Sequence, residues 1–183
     1  MTHLEASGAG PAASLCAALA GPVGPPLLVT TADHPLLSAE IITHFVTAAQ
    51  SSGADLCVGF ARRGVIETKF PDTRRTYLPI GARDLSSCNL FYVANPTAKR
   101  VLDLWQTVES ERKHPWRMAR RLGLWFLLRL FLMRRSEAQV FSLLSKRLGA
   151  YVQPVILPFA DAAVDVDTPD DLTLMRGIFE GRR

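Results

Sequence analysis

The residues of this chain best suited to chemistry are acids placed at the ends of apolar runs. Leu27, Leu28 and Val29 lead through Thr30-Thr31-Ala32 to Asp33, and His34-Pro35 stops the extended run. Ligands of α/β sheets bind beyond the carboxyl ends of the strands, so a carboxylate there faces whatever the fold binds. Such a group can hold a hard cation against substrate phosphates, because Mg²⁺ takes one or two protein carboxylates and shares its shell with phosphate. A second acidic run, Asp165-Val166-Asp167-Thr168-Pro169-Asp170-Asp171, lies near the C-terminus. Its later half reads as a helix start: Thr168 as N-cap, Pro169 at the first position, and two acids facing the positive end of the helix dipole. That account leaves Asp165 and Asp167 unexplained. Asp33 also has a plain alternative as a turn or cap residue, although Pro35 and Ser38 suffice to open the helix that follows.

The elements that must position these acids can be read from periodicity. Residues 11–20 predict a short alanine-rich helix with Pro11 in its first turn. A strand follows at 27–32. Ile41, Ile42, Phe45, Val46 and Ala49 recur at helical spacing over 38–51, which ends before Gly53. Asp55 to Phe60 predicts a buried strand, residues 61–74 a polar irregular stretch, and Thr76–Ile80 and Asn89–Val93 two more strands. A helix over 96–110 opens at Asn95-Pro96. A long helical region covers 115–148, with a break at Gly123; Tyr151–Leu157 is a last strand and 169–179 a last helix. Strands alternating with helices predict a largely parallel α/β sheet.

Composition sets outer limits. The 183 residues fit a single domain spanning 1–183, and 48% hydrophobic with 21% charged residues is ordinary globular composition. Three cysteines without a CxxC pair read as reduced, buried side chains of a cytoplasmic protein, and the first ten residues carry no secretion signal. The net charge of +4 is local: residues 112–135 hold eight Lys or Arg and no acid. Outside them 13 basic residues face 17 acidic ones, which argues against a nucleic-acid surface.

Other candidates carry weaker signals. Arg74 and Arg75 can pair bidentately with a phosphate or carboxylate of an acceptor, or serve as exposed arginines protecting an edge strand. Gly8-Ala9-Gly10-Pro11 opens the first helix, and a glycine loop at a helix N-terminus can bind phosphate. His34 and His114 read equally well as surface residues, and no histidine stands out as a general base.

Thr31-Ala32-Asp33-His34-Pro35-Leu36-Leu37 and the Asp167-Thr168-Pro169 run together resemble the molybdenum-cofactor guanylyltransferase-like (MobA-like) family of NTP transferases. The resemblance implies a Rossmann-like sheet of the GT-A type, mostly parallel and flanked by helices. It implies that Asp33 and Asp167 hold the catalytic Mg²⁺, with Asp165 in support. Asn89 resembles the family's asparagine, which lies near the acceptor or metal, with Ser87 in place of the usual glycine. Gly10, Pro11 and Ser14 resemble a segment near the nucleotide. The expected partners are an NTP and a small phosphorylated acceptor, and the expected reaction is transfer of a nucleoside monophosphate with release of pyrophosphate. The family's opening strand and glycine-rich triphosphate loop have no counterpart before residue 27, so the chain reads as N-terminally truncated and a poor catalyst. A non-catalytic remnant that binds nucleotide, lipid or protein is the rival reading. A GT-A glycosyltransferase using a nucleotide sugar is a third.

The basic segment stands apart. Leu122–Met133 is apolar except at Gly123 and Arg129, and twelve helical residues rise about 18 Å, short of a hydrocarbon core of about 30 Å. A packed helical insertion near 112–148 with snorkelling arginines is the plain account. The expectation is an excursion only partly covered by the domain, whose apolar side at 112–135 meets a protein partner or an anionic membrane surface.

Overall fold

A computed structural model describes residues 11–20, 24–78, 84–110 and 136–181. Four strands form one sheet: β1 (Leu27–Thr30), β2 (Leu56–Arg62), β3 (Leu85–Val93) and β4 (Val152–Leu157), in the order β1-β3-β2-β4. Six α-helices are described: α1 (Pro11–Ala20), α2 (Ala39–Ser52), α3 (Arg63–Lys69), α4 (Lys99–Ser110), α5 (Glu137–Leu148) and α6 (Pro169–Phe179). Short 3₁₀ turns at Pro96–Ala98 and Ala160–Ala163 complete the described elements.

The sheet is mixed, which corrects the mostly parallel arrangement predicted from sequence. β3 runs antiparallel to both β1 and β2, and only β2 and β4 pair in parallel. Alternation of strands and helices fixes the class, but a strand's direction is set by its partners, and β3 pairs antiparallel with β2 although α3 lies between them in the chain. Two local expectations also change. Arg63–Lys69, in the stretch expected to be irregular, is helical because Ile66 turns into the core. The strand expected at Thr76–Ile80 is reduced, in its described part, to a single bridge between Leu78 and Leu85.

Elsewhere local chemistry sets the boundaries. Ser38 accepts the Ile41 N–H to start α2, and Gly53 ends it at φ 65°, a conformation that suits glycine. Capping boxes Ser136/Gln139 and Thr168/Asp171 start α5 and α6. The sheet is covered on both faces. On one, Ile41, Phe45 and Ala49 of α2 meet Cys57, Leu90, Tyr92 and Leu157. On the other, Leu15, Leu102 and Phe141 from α1, α4 and α5 meet Phe60, Leu85 and Val93. A smaller cluster of Phe70, Ala160, Val164 and Met175 seats α6 at the end of the sheet. The three cysteines are free; Cys57 and Cys88 are buried, while Cys16 is only half-buried. Burial pushes the Cys88 thiol up to about 12. Among the described residues no helix is long and apolar enough to cross a membrane.

One close approach governs the centre of the sheet. The pairs Val58–Phe91 and Phe60–Ser87 enclose only Gly59 on β2 but Cys88, Asn89 and Leu90 on β3, so β3 bulges there. A Cβ at Gly59 would lie 3.1 Å from Leu90 Cβ, with Phe45 Cε2 at 3.4 Å and Leu157 Cδ1 at 3.5 Å. Leu90 Cβ is fixed to the backbone and cannot swing away. Gly59→Ala is therefore expected to cost about 1–3 kcal/mol through overpacking, measured by urea unfolding. A control at Gly64, where a Cβ meets nothing within 4 Å, should show no such loss.

Candidate functional site

Asp33 follows β1 and the Asp165–Asp171 run follows β4, at the same end of the sheet because β1, β2 and β4 share one direction. The Val166 N–H donates to the Asp33 carbonyl at 3.0 Å, joining the two segments one residue from Asp167. The Asp33 carboxylate accepts from the Thr31 hydroxyl and is 38% exposed. Asp167 is exposed.

His34 corrects the surface reading. Its side chain is 1% exposed, and Nε2 lies 3.0 Å from Asn89 Nδ2 and 3.8 Å from Asp33 Oδ1. Burial pulls its pKa down; Arg75 acts in the same sense, while Asp33, the Ala162 carbonyl and Asp167 pull the other way. The Nδ1 atom is buried with no partner at hydrogen-bond geometry.

Arg75 is occupied within the chain. Its side chain is 7% exposed; one amino group pairs with the Asp165 carboxylate, and the other meets the Asp165 carbonyl at 3.1 Å and Asp171 Oδ1 at 2.9 Å. Asp171 in turn accepts from the Thr168 hydroxyl at 2.6 Å, the Thr168 N–H at 2.9 Å and the Asp167 N–H at 3.3 Å. The guanidinium therefore ties residue 75 to the backbone on either side of Asp167. Asp171, read from sequence as a helix-start acid alone, is also half of this clamp.

Arg74 points the other way. It is exposed and lines a cleft of about 940 Å³ between residues 72–74 and α6, with Asp72, Asp170, Arg176 and Glu180. This cleft does not include Asp33 or Asp167. Asn89 sits at φ 49°, its N–H donating to Ser87 Oγ at 3.2 Å and its amide turned to His34. Pro11 and Ser14 lie in α1, which packs against α4. Gly10, His114 and the whole 112–135 excursion fall outside the described residues. Among the described residues, no cluster of three or more His, Cys, Asp or Glu forms a metal cage.

A family model for the MobA-like NTP transferase domain matches residues 1–123. The chain belongs to this family. It is also similar to a solved structure from Thermus thermophilus described as a hypothetical transferase, with 29% identity and a TM-score of 0.74. The match covers 89% of this chain and 69% of that one. No curated protein matches the chain. Like the neighbour, this MobA-like domain is a transferase-type α/β fold.

Of the residues the sequence did not single out, His34 and Asp171 matter most. Asp171 carried no separate signal, since its place as the capping-box acid of α6 already accounted for it. His34 carried none, because its partner Asn89 lies on a distant strand.

Two outcomes follow from the clamp. Arg75→Met leaves two largely buried carboxylates without their cation and should cost about 3 kcal/mol by chemical denaturation. The acid range tests Asp171 separately. Burial alone would raise its pKa, but the Thr168 hydroxyl and N–H, Arg75 and the Asp167 N–H hold it below the usual range. A depressed carboxylate contributes stability above its unfolded value and loses it as pH falls through the folded one. Stability should therefore decline as pH drops below about 4, and Asp171→Asn should flatten that decline in thermal melts taken across the range.

Proposed function

We propose that this MobA-like domain is a Mg²⁺-dependent nucleotidyltransferase, passing a nucleoside monophosphate from an NTP to a small phosphorylated acceptor. The acceptor oxygen forms the new bond to the α-phosphorus, the α–β bridging bond breaks, and pyrophosphate leaves. An acceptor phosphate monoester attacks as an anion, so no protein base is needed.

The observation that carries this reading is the Val166–Asp33 hydrogen bond, which joins the two acidic segments at the ligand-binding end of the sheet. Asp33 and Asp167 would hold the ion. The donor set suits it: two accessible carboxylates, without a closed cage among the described residues, match a cation that keeps water and recruits phosphate oxygens. When bound, Mg²⁺ neutralises charge that develops on the phosphates. The chain's own contribution is to fix the two acids. Thr31 orients the Asp33 carboxylate, while Arg75 and Asp171 hold the backbone around Asp167. Arg74, exposed beside the clamp, is the cation available to an anionic acceptor. Free cysteines suit a reducing, cytoplasmic setting.

Pyrophosphate release, measured for each NTP with a panel of phosphorylated small acceptors, tests the reading. Asp33→Asn and Asp167→Asn should each lower turnover at least about 100-fold while melting within a few degrees of the parent, since each relieves repulsion between neighbouring acids. Equal turnover by parent and both variants would overturn the assignment of these acids.

A further inference from the structure

We propose that Asn89, acting through His34, is a positioning residue for the Asp33 carboxylate; this rests on the metal-binding role of Asp33 given above. The backbone conformation of Asn89 needs a cause. Asn89 has φ 49° in the middle of a strand, a region that side chains other than glycine's enter at a cost. It enters because β3 carries two more residues than β2 between the Val58–Phe91 and Phe60–Ser87 pairs. A bulge re-aims a side chain. Here the re-aimed amide meets His34 Nε2 at 3.0 Å, while Cys88 and Leu90 on either side stay buried in the core.

That contact decides which ring nitrogen carries the proton. The Asn89 oxygen accepts from Ser87 Oγ at 3.4 Å, which leaves the amide nitrogen to donate to His34. Nε2 is then the acceptor, and the proton of the neutral imidazole sits on Nδ1. The nitrogen facing Asp33 Oδ1 across 3.8 Å therefore presents a lone pair and no N–H. With the opposite tautomer, Nε2–H would point at the carboxylate and compete with a cation for its lone pairs. Asn89 removes that competitor and, by holding the buried ring, fixes the turn that carries Asp33. Ser87 has a place in the same arrangement: it takes the Asn89 N–H at 3.2 Å, which pins the bulge.

Two measurements test this. The first uses the wild-type protein and ¹⁵N-histidine NMR, with His34→Gln to assign the signal. His34 should show the Nδ1–H tautomer; an Nε2–H signal would overturn the proposal without any variant having to fold. The second is Mn²⁺ titration followed by electron paramagnetic resonance, with melting temperature recorded for every variant. Asn89→Gly keeps the backbone conformation, since glycine adopts positive φ freely, and removes only the amide. It should bind Mn²⁺ about tenfold more weakly, as losses in the shell behind a ligand do, and move the His34 signal towards Nε2–H. Unchanged Mn²⁺ affinity in Asn89→Gly, while Asp33→Asn binds weakly, would overturn this proposal alone. Unchanged affinity in Asp33→Asn as well would overturn both it and the metal reading.

Discussion

The site depends on one crossing of the chain. Among the described strands, β1 and β4 are the two edges of the sheet, with β3 and β2 between them. The acid that follows β1 and the acids that follow β4 therefore meet only if the chain leaving β4 travels back across the sheet end. It does so through Ala160-Asp161-Ala162-Ala163-Val164, and four of these five side chains are buried. Small side chains let the backbone lie close against β2, β3 and α3, where larger ones would lift it away. The Val166 N–H then reaches the Asp33 carbonyl and closes the crossing. A single hydrogen bond contributes about 1 kcal/mol net, so that contact registers the two segments but cannot hold them against strain.

The holding is done by Arg75. Removing a guanidinium from water is costly unless every donor finds a partner, and here both amino groups do, on two carboxylates and a carbonyl. Lysine has no planar fork with which to bridge Asp165 and Asp171 at once. The arrangement also explains why neighbouring arginines behave differently. Arg74 turns out to solvent and the cleft beside α6, whereas Arg75 turns in. Two adjacent arginines that looked alike in sequence thus divide into a structural tie and a free surface charge.

How much of this was legible depends on whether the cause was local. The ends of α2 and α6 were readable because Ser38, Gly53, Thr168 and Pro169 act on the backbone beside them. Asp33 was readable as a strand-end acid because the apolar run before it announces β1, whereas Asp165 and Asp167 lie past the end of β4 and beyond a 3₁₀ turn, so only the fold brings them beside Asp33. The direction of β3 was not readable: residues 85–93 would look the same in either orientation, and only pairing with β1 and β2 decides. α3 was missed because a seven-residue helix with one buried residue, Ile66, leaves no periodicity to find. The roles of Arg75 and His34 were invisible for a stronger reason. Each is defined by partners on other elements, and the partner of His34 exists only because β3 bulges.

That bulge links the core to the site more tightly than their separation in the chain suggests. Gly59 has no Cβ, and the space it leaves is filled by Leu90 Cβ, 3.1 Å from where a Gly59 Cβ would stand. Leu90 therefore packs closer to β2 than a regular ladder would allow, and the two extra residues of β3 are taken up at Asn89. The strain at Asn89 is offset by the burial of Cys88 and Leu90 around it, both fully enclosed. A site acid on an exposed loop is normally free to move. Here the turn bearing Asp33 is anchored to a buried ring, the ring to an amide, and the amide to a backbone shape enforced by packing in the middle of the sheet. The turn bearing Asp33 is thus tied, through His34 and Asn89, to apolar contacts one layer below it, and the glycine that permits those contacts belongs to the same construction.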